Sequence, residues 1–454
     1  MTLAGGRAML NRRSLLKATA GLAVSALCPI TGLAQSGRSI TEFGVSPETE
    51  NSQSRAFATA LHRASFDNVP LHLPPGRYHV GQIALPRNLH LTGIAGMSEL
   101  VFTGGSYLAD GRDMQRLTLD GVTFDGAQLP FDDPSGALLN LDGVKQLSVT
   151  NCTIRDSSAG GLYLKRAAGR VSGNSIVQIG DVGIFSRDAE GLDIDDNRVS
   201  HCGNGGILVH RSSPGSDGSR VNGNRVSHIR ADLGGTGPFG NGINVYRAGD
   251  VAIEGNHVSD CAFSAIRSNG GSNLSVAGNH CLRSGETAIY SEFSFEGAVI
   301  SDNIVDGAAN GISIVNFNEG GRLATCSGNL VRNLSLDGPY QPGDPGFGLG
   351  ITVEADCAVS GNVIEGAPRF GMLLGWGPFL RNVSATGNVI RRAGTGIAVS
   401  VVEGAGKAVI GGNVISDTKD GAIRGYRWAE AVTDDLIGQP TPAPHLVLSG
   451  NSAG

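Results

Sequence analysis

Aromatic side chains make up only 5% of this 454-residue sequence, with 2 Trp among them, and charged residues only 17%. The length alone would call for two or three globular domains, but so few rings leave little for several independent aromatic-centred cores. The low charge argues against a disordered polyelectrolyte. Proline, at 18, is too sparse and irregular for collagen. No apolar run reaches the length that spans a bilayer. Zinc-type spacing is also missing, since His201-Cys202 and His257 to Cys261 do not form a ligand set. Glycine is what is plentiful, at 69 residues, about twice its usual share. With many Val, Ile, Asn and Ser, it points to numerous short strands joined by tight turns.

Residues 1–34 read as an export signal. Asn11-Arg12-Arg13-Ser14-Leu15-Leu16-Lys17 has the twin-arginine pattern, a short apolar stretch runs from Ala18 to Leu27, and Gly32-Leu33-Ala34 offers a cleavage site. Leu27 before Cys28 does not suit a lipoprotein signal. Removing this segment leaves 31 basic residues against 41 acidic ones, a formal charge of −10, which disfavours a nucleic-acid partner. The expected location is the periplasm. Six further cysteines are Cys152, Cys202, Cys261, Cys281, Cys326 and Cys357, several of them at repeat slots expected to be buried. They read as small apolar fillers, because a chain exported already folded leaves a reducing compartment.

A Gly-Asn corner recurs along the chain. Cys152 holds the Asn slot first, followed by Asn174, Asn197, Asn224, Asn256, Asn279, Asn303, Asn329, Asn362, Asn388, Asn413 and Asn451. Most steps are 22 to 27 residues, and the longest within the array are 32 and 33. After each corner comes a short aliphatic strand, then a small residue followed by an aliphatic one (Gly183-Ile184, Ala265-Ile266, Gly311-Ile312), then an alternating strand into the next corner. A period of this length, with turns too short for helices, is one coil of a parallel β-helix. Coils stacked about 4.8 Å apart build continuous apolar columns that no single coil can bury. Glycine is expected where a Cβ would obstruct the turn. The Asn is expected to bond main chain in its own turn or to stack on its neighbours.

The fold predicted is therefore all-β, a parallel β-helix of about 12–14 coils over residues 71–454, right-handed by the resemblance given below. An N-terminal segment, 35–70, precedes it. There Phe57, Ala60, Leu61 and Ala64 lie at helical spacing, on a helix that would cover the open end of the solenoid. The last coil and cap occupy 425–454. Leu71 to Val80, with its Pro-Pro-Gly-x-Tyr turn, resembles the opening of the pectate-lyase-like superfamily. The twin-arginine signal, the coils, and the stretches Gly285–Tyr290, Asn316–Leu323 and Gly375–Pro378 resemble the twin-arginine-translocated repeat proteins of Gram-negative bacteria. That resemblance implies the handedness and the periplasm, and no activity.

In the polygalacturonase branch of the superfold the catalytic carboxylates lie on the strand equivalent to the Gly-Ile step. The outward residues of that strand are polar and varied in mid-chain: Asn244, Tyr246, Arg247, Arg267, Asn269, Tyr290, Glu292, Ser313 and Glu354, with Asn316 and Asn318 just beyond. Extra residues are inserted before the same strand at 229–241 and 332–349, and two such loops would wall a groove about 15 Å long. The alternative is a solvated sheet face whose loops merely tolerate length. Aspartate clusters for hydrolysis and carboxylate clusters for calcium are missing from these slots, so neither metal nor cofactor is expected. Glu292 and Glu354, two coils apart or about 9–10 Å, stand at the upper edge of the inverting-glycosidase separation. A metal-independent lyase or epimerase suits the residue types better. Tyr290 or Tyr246 would be the base, with His210 further off, and Arg267 and Asn269 would neutralise a uronate carboxylate. The catalytic candidates are Tyr290, Arg267, Glu292 and Glu354. The binding candidates are Asn244, Tyr246, Arg247, Asn269, Asn316 and Asn318. The partner expected is a polysaccharide, and the alternatives are a non-catalytic glycan- or envelope-binding module and a structural scaffold.

Overall fold

A typical coil has three short strands, as Leu274–Ala277, His280–Leu282 and Thr287–Glu292 show in mid-chain, and in two later coils the second and third run together as Val363–Leu374 and Val389–Ser400. Each pairs in parallel with its counterpart one coil later. The computed structural model describes residues 37–454 except Pro134, Thr236 and 440–442, so the export signal predicted at 1–34 lies outside the described residues. The chain is an all-β parallel solenoid of about 14 turns with one short helix near its N-terminal end. One ladder of 16 strands runs from Arg38–Ser39 to Leu446–Ser449. The exception among the parallel strand pairs is a hairpin near the C-terminal end, where Tyr426–Arg427 meets Glu430–Ala431 antiparallel. No helix among the described residues is long and apolar enough to cross a membrane.

The helix Ser54–Asp67 buries Phe57, Ala60, Leu61 and Ala64, the four residues spaced for one face. They join a single continuous core with Ile40, Leu71 and Tyr78 of the first coils. Further along, the core is columnar. Ile207, Ile243, Ile266, Ile289, Ile312 and Ile351 stack in register and are fully buried. The small residue before each aliphatic has a steric cause: a Cβ on Gly311 would lie 2.3 Å from the Gly350 carbonyl oxygen and 2.5 Å from Val331. The six cysteines among the described residues are buried and free.

At the corners the asparagines form a ladder. The Asn279 side-chain amide donates to the Ile253 carbonyl at 2.9 Å and to Asn303 Oδ1 at 3.0 Å. Its own Oδ1 accepts the backbone N–H and the side-chain amide of Asn256, both at 2.9 Å. The pattern repeats from Asn174 to Asn413, where Asn451 receives the last pair. These bonds join a coil to the ones before and after it rather than closing a turn on itself. The corner glycine is required by conformation and not by space: Gly255 has φ 63°, yet a Cβ there would meet nothing within 4 Å. Asp196 and Asp302 hold the same left-handed conformation in other coils, tolerating it as short polar residues do.

Candidate functional site

The small-plus-aliphatic strands set out one outward column in register: Asn244, Arg267, Tyr290, Ser313 and Thr352. A second column, two residues on, runs Tyr246, Asn269 and Glu292. Glu354 follows Val353, which pairs with Ile314, and so stands two rungs beyond Glu292. Alternation sends these side chains away from the core, but the face is not open to water. Arg267 is 6% exposed, Glu292 2% and Glu354 7%.

Burial dictates how the charges pair. Arg267 Nε lies 2.6 Å from Glu292 Oε1, and its Nη1 lies 3.3 Å from Glu286 Oε2. Asn269 donates to Glu292 at 3.4 Å, and the guanidinium sits 5.0 Å from the centre of the Tyr290 ring. From the long loop, Tyr340 donates its hydroxyl to Glu286 Oε1 at 2.6 Å. Its ring stacks on Phe263 and meets Phe347 edge-on, so the loop folds back over earlier coils. Arg267 is thus held between two buried carboxylates, the arrangement that keeps a desolvated cation tolerable. Burial, then the Glu292 charge, pushes the Tyr290 hydroxyl well above the ordinary phenol range. Burial also raises the Glu292 carboxyl, against the opposing pull of Arg267.

Beside this cluster a cleft of about 330 Å³ opens between the sheet face and the loop. Glu354, Tyr290, Asn316, Glu286, Thr352 and Trp376 are among its walls. The Glu354 carboxylate accepts the Phe317 backbone N–H at 2.6 Å. Burial nevertheless pushes its pKa up to about 7, outweighing the backbone donors Phe317 and Asn316. Thr352 Oγ1 is buried without a hydrogen-bond partner. Among the described residues, no group of three or more His, Cys, Asp or Glu is placed to hold a metal.

Of the residues singled out from sequence, the cleft brings together Tyr290, Glu354 and Asn316. Arg267 and Glu292 are tied to each other at its side, with Glu292 drawn toward the preceding rung, away from Glu354. Asn316 also accepts the Phe293 N–H at 3.2 Å. Asn318 reaches only Glu319, at 3.4 Å. Asn244 accepts from His210 Nε2 at 2.7 Å, and Arg247 lies over the Tyr246 ring. Those last four, with Asn269 and Asn318, lie outside the cleft walls. Glu286 and Tyr340 were not among the residues chosen from sequence. Glu286 immediately precedes the strand Thr287–Glu292, outside the positions read from sequence, and the signal for Tyr340 was its place in the inserted loop.

Comparison with known proteins bears on the fold. Solved structures similar to this one include an α-1,3-glucanase catalytic unit from Streptomyces thermodiastaticus, 16% identical over 92% of this chain and 69% of that one, with a TM-score of 0.48. The surface adhesin PfbA of Streptococcus pneumoniae is 14% identical over 86% of this chain and 91% of that one, with a TM-score of 0.42. A mannuronan C-5 epimerase A-module of Azotobacter vinelandii is 16% identical over 92% of this chain and 99% of that one, with a TM-score of 0.37. At these values the likeness is one of architecture. No curated protein matches the chain. The model of the family described as "Right handed beta helix region" matches residues 135–235, 171–331 and 215–390. Those matches span more than half of the sequence, and the chain belongs to the right handed beta helix region family.

Proposed function

We propose that this β-helix binds a polysaccharide in the cleft beneath the 332–349 loop and that Glu354 gives a proton to a glycosidic oxygen there. The observation that carries the reading is the Glu354 carboxyl itself. It is buried, it lines the cleft, and its pKa of about 7 keeps it half protonated at neutral pH, as a general acid requires. The rest of the wall suits a sugar: hydroxyls on Tyr290, Ser313 and Thr352, and the indole of Trp376 for stacking. In the cleavage step the Glu354 proton goes to the bridging oxygen, which keeps the electrons of the breaking bond. Water supplies hydroxide to the anomeric carbon and loses its second proton to solvent, from which Glu354 is recharged.

A lyase reading asks for a tyrosinate-like base and a free cation beside a uronate carboxylate. Tyr290 is held protonated and Arg267 already serves two carboxylates, which supports Glu354 as the proton-transfer group and Tyr290 as a donor. A second reading, glycan binding without turnover, is favoured by the same pairing, since Arg267 neutralises the two carboxylates nearest to Tyr290. The proposal also places the protein in the periplasm as one of the twin-arginine-exported repeat proteins, supported by the motif Asn11–Lys17.

The test incubates the purified chain with a panel of polysaccharides and follows reducing ends, ultraviolet absorbance of unsaturated products, and co-sedimentation. Reducing ends that vanish in Glu354→Gln while binding persists support the acid role. Unsaturated products return the assignment to a lyase. Binding without products supports the second reading, and no binding to any polymer overturns both. For export, retention of a fused reporter in the cytoplasm when Arg12 and Arg13 are both changed to Lys is the expected result. Unchanged export overturns the twin-arginine assignment.

A further inference from the structure

The outward column that carries Tyr290 continues toward the N-terminal end through Arg267, Asn244, Leu208, Phe185 and Tyr163. There a second, larger cavity of about 720 Å³ opens, with Tyr107, Asn140, Tyr163, Lys165 and Phe185 among its walls. From this cavity toward the cleft runs a row of rings that stops at Tyr246, with the Arg267–Asn269 rung between it and Tyr290. Tyr163 and Phe185 have centroids 5.3 Å apart, Phe185 and His210 5.0 Å, and His210 and Tyr246 5.5 Å. None of the four belongs to the apolar core, and each is half-buried on the outward face. In a chain with so few aromatics, four successive coils placing a ring on one outer face mark a recognition surface.

We propose that this cavity and its row of rings form a binding track for an uncharged polysaccharide, lying along the solenoid axis with one end in the Glu354 cleft. The inference rests on the glycan reading above and extends it to the class of polymer. The rise per coil, about 4.8 Å, is close to the length of one pyranose residue in an extended chain, so successive rings meet successive sugars. From the Tyr163 rung to the Tyr290 rung there are five steps, or about 24 Å. His210 continues the row as a neutral ring: its Nε2 donates to Asn244, and burial pushes its pKa down to about 4.

The charges disfavour a polyuronate. In the N-terminal cavity the carboxylates Asp110, Asp133, Asp142 and Asp181 outnumber the cations Arg112, Lys165 and Arg187, and two of those cations are already paired, with Arg112 Nε 2.9 Å from Asp110 and Lys165 Nζ 3.2 Å from Asp142. The cleft is lined by Glu286, Asp344 and Glu354 and, among the described residues, by no Lys or Arg. A polymer with one carboxylate per sugar would bring repeating negative charge to cavity and cleft walls where carboxylates outnumber cations.

The decisive experiment titrates the full chain with length series of uncharged oligosaccharides (cello-, xylo- and malto-), with oligogalacturonates as the charged control. The expected result is affinity in one uncharged series that climbs with length until the track is spanned. Tyr163→Ala and Phe185→Ala should each weaken the long members about tenfold and leave the shortest binders, held in the cleft, unchanged. Both rings lie outside the core, and circular dichroism confirms that each variant is folded. Length-independent binding, or full affinity for long members in both folded variants, overturns the track while leaving the glycan reading intact. Tighter binding of oligogalacturonates overturns the uncharged class. Silence across every series overturns the glycan reading and the track together.

Discussion

Replacing Glu354 by glutamine should stabilise the protein at neutral and alkaline pH and leave it nearly unchanged in acid. In the unfolded chain this carboxyl gives up its proton near 4.5, whereas in the folded chain it holds it to about 7. Below the lower value both states are protonated and the group contributes nothing to the pH dependence. As pH rises from there to about 7 the unfolded state releases its proton first, so stability falls across that window and stays low above it. A shift of this size corresponds to on the order of 3 kcal/mol, at 1.36 kcal/mol per pKa unit. Glutamine has the same shape, keeps an oxygen to accept the Phe317 N–H now bonded at 2.6 Å, and carries no charge to desolvate. Thermal melting of wild type and Glu354→Gln across pH 4.5 to 8.5 is the assay. The two should converge at the acid end and separate by on the order of 3–5 °C in favour of the variant at the alkaline end. Parallel curves, or a variant less stable throughout, would refute the claim that burial is what raises this carboxyl.

Three further outcomes are expected. Arg267→Ala strands Glu286 and Glu292 in a buried setting and should cost about 3–5 kcal/mol in denaturant unfolding; adding Glu286→Gln and Glu292→Gln should recover much of it. Asn279→Ala removes the acceptor for two Asn256 donors and the donor to Ile253 and Asn303, so a loss of about 2–4 kcal/mol is expected in the same measurement. Tyr340→Phe removes the hydroxyl bond to Glu286. At about 1 kcal/mol it should speed proteolytic cleavage within 332–349 without moving the global melting point.

The fold was readable because it repeats. A corner asparagine every coil and a small residue before each aliphatic leave little freedom in assigning strands, and the helix Ser54–Asp67 follows from four spaced apolar residues. The site was readable only in part. Alternation told which way Arg267, Glu292 and Glu354 point, but not that they would be buried, because alternation reports a face and not its surroundings. Burial also sets the pairing: Arg267 bonds Glu292 and Glu286. Glu286 escaped notice because it precedes its strand, and Tyr340 because nothing local fixes where a long loop lands. The rings at Tyr163 and Phe185 stood in the outward column all along. Spread one per coil, they carried no sequence motif, and their adjacency exists only once the coils are stacked.

The asparagine ladder makes every joint between coils alike: the same amide donates to the same two acceptors at each step from Asn174 onward. The joint, unlike the rest of the coil, is therefore interchangeable: a segment running from one such asparagine to the next meets the same donors and acceptors wherever it is inserted. Adding one such segment lengthens the stack by about 4.8 Å and leaves every ladder bond of the same kind. The ladder graduates the solenoid in single coils, so its length is set in whole divisions.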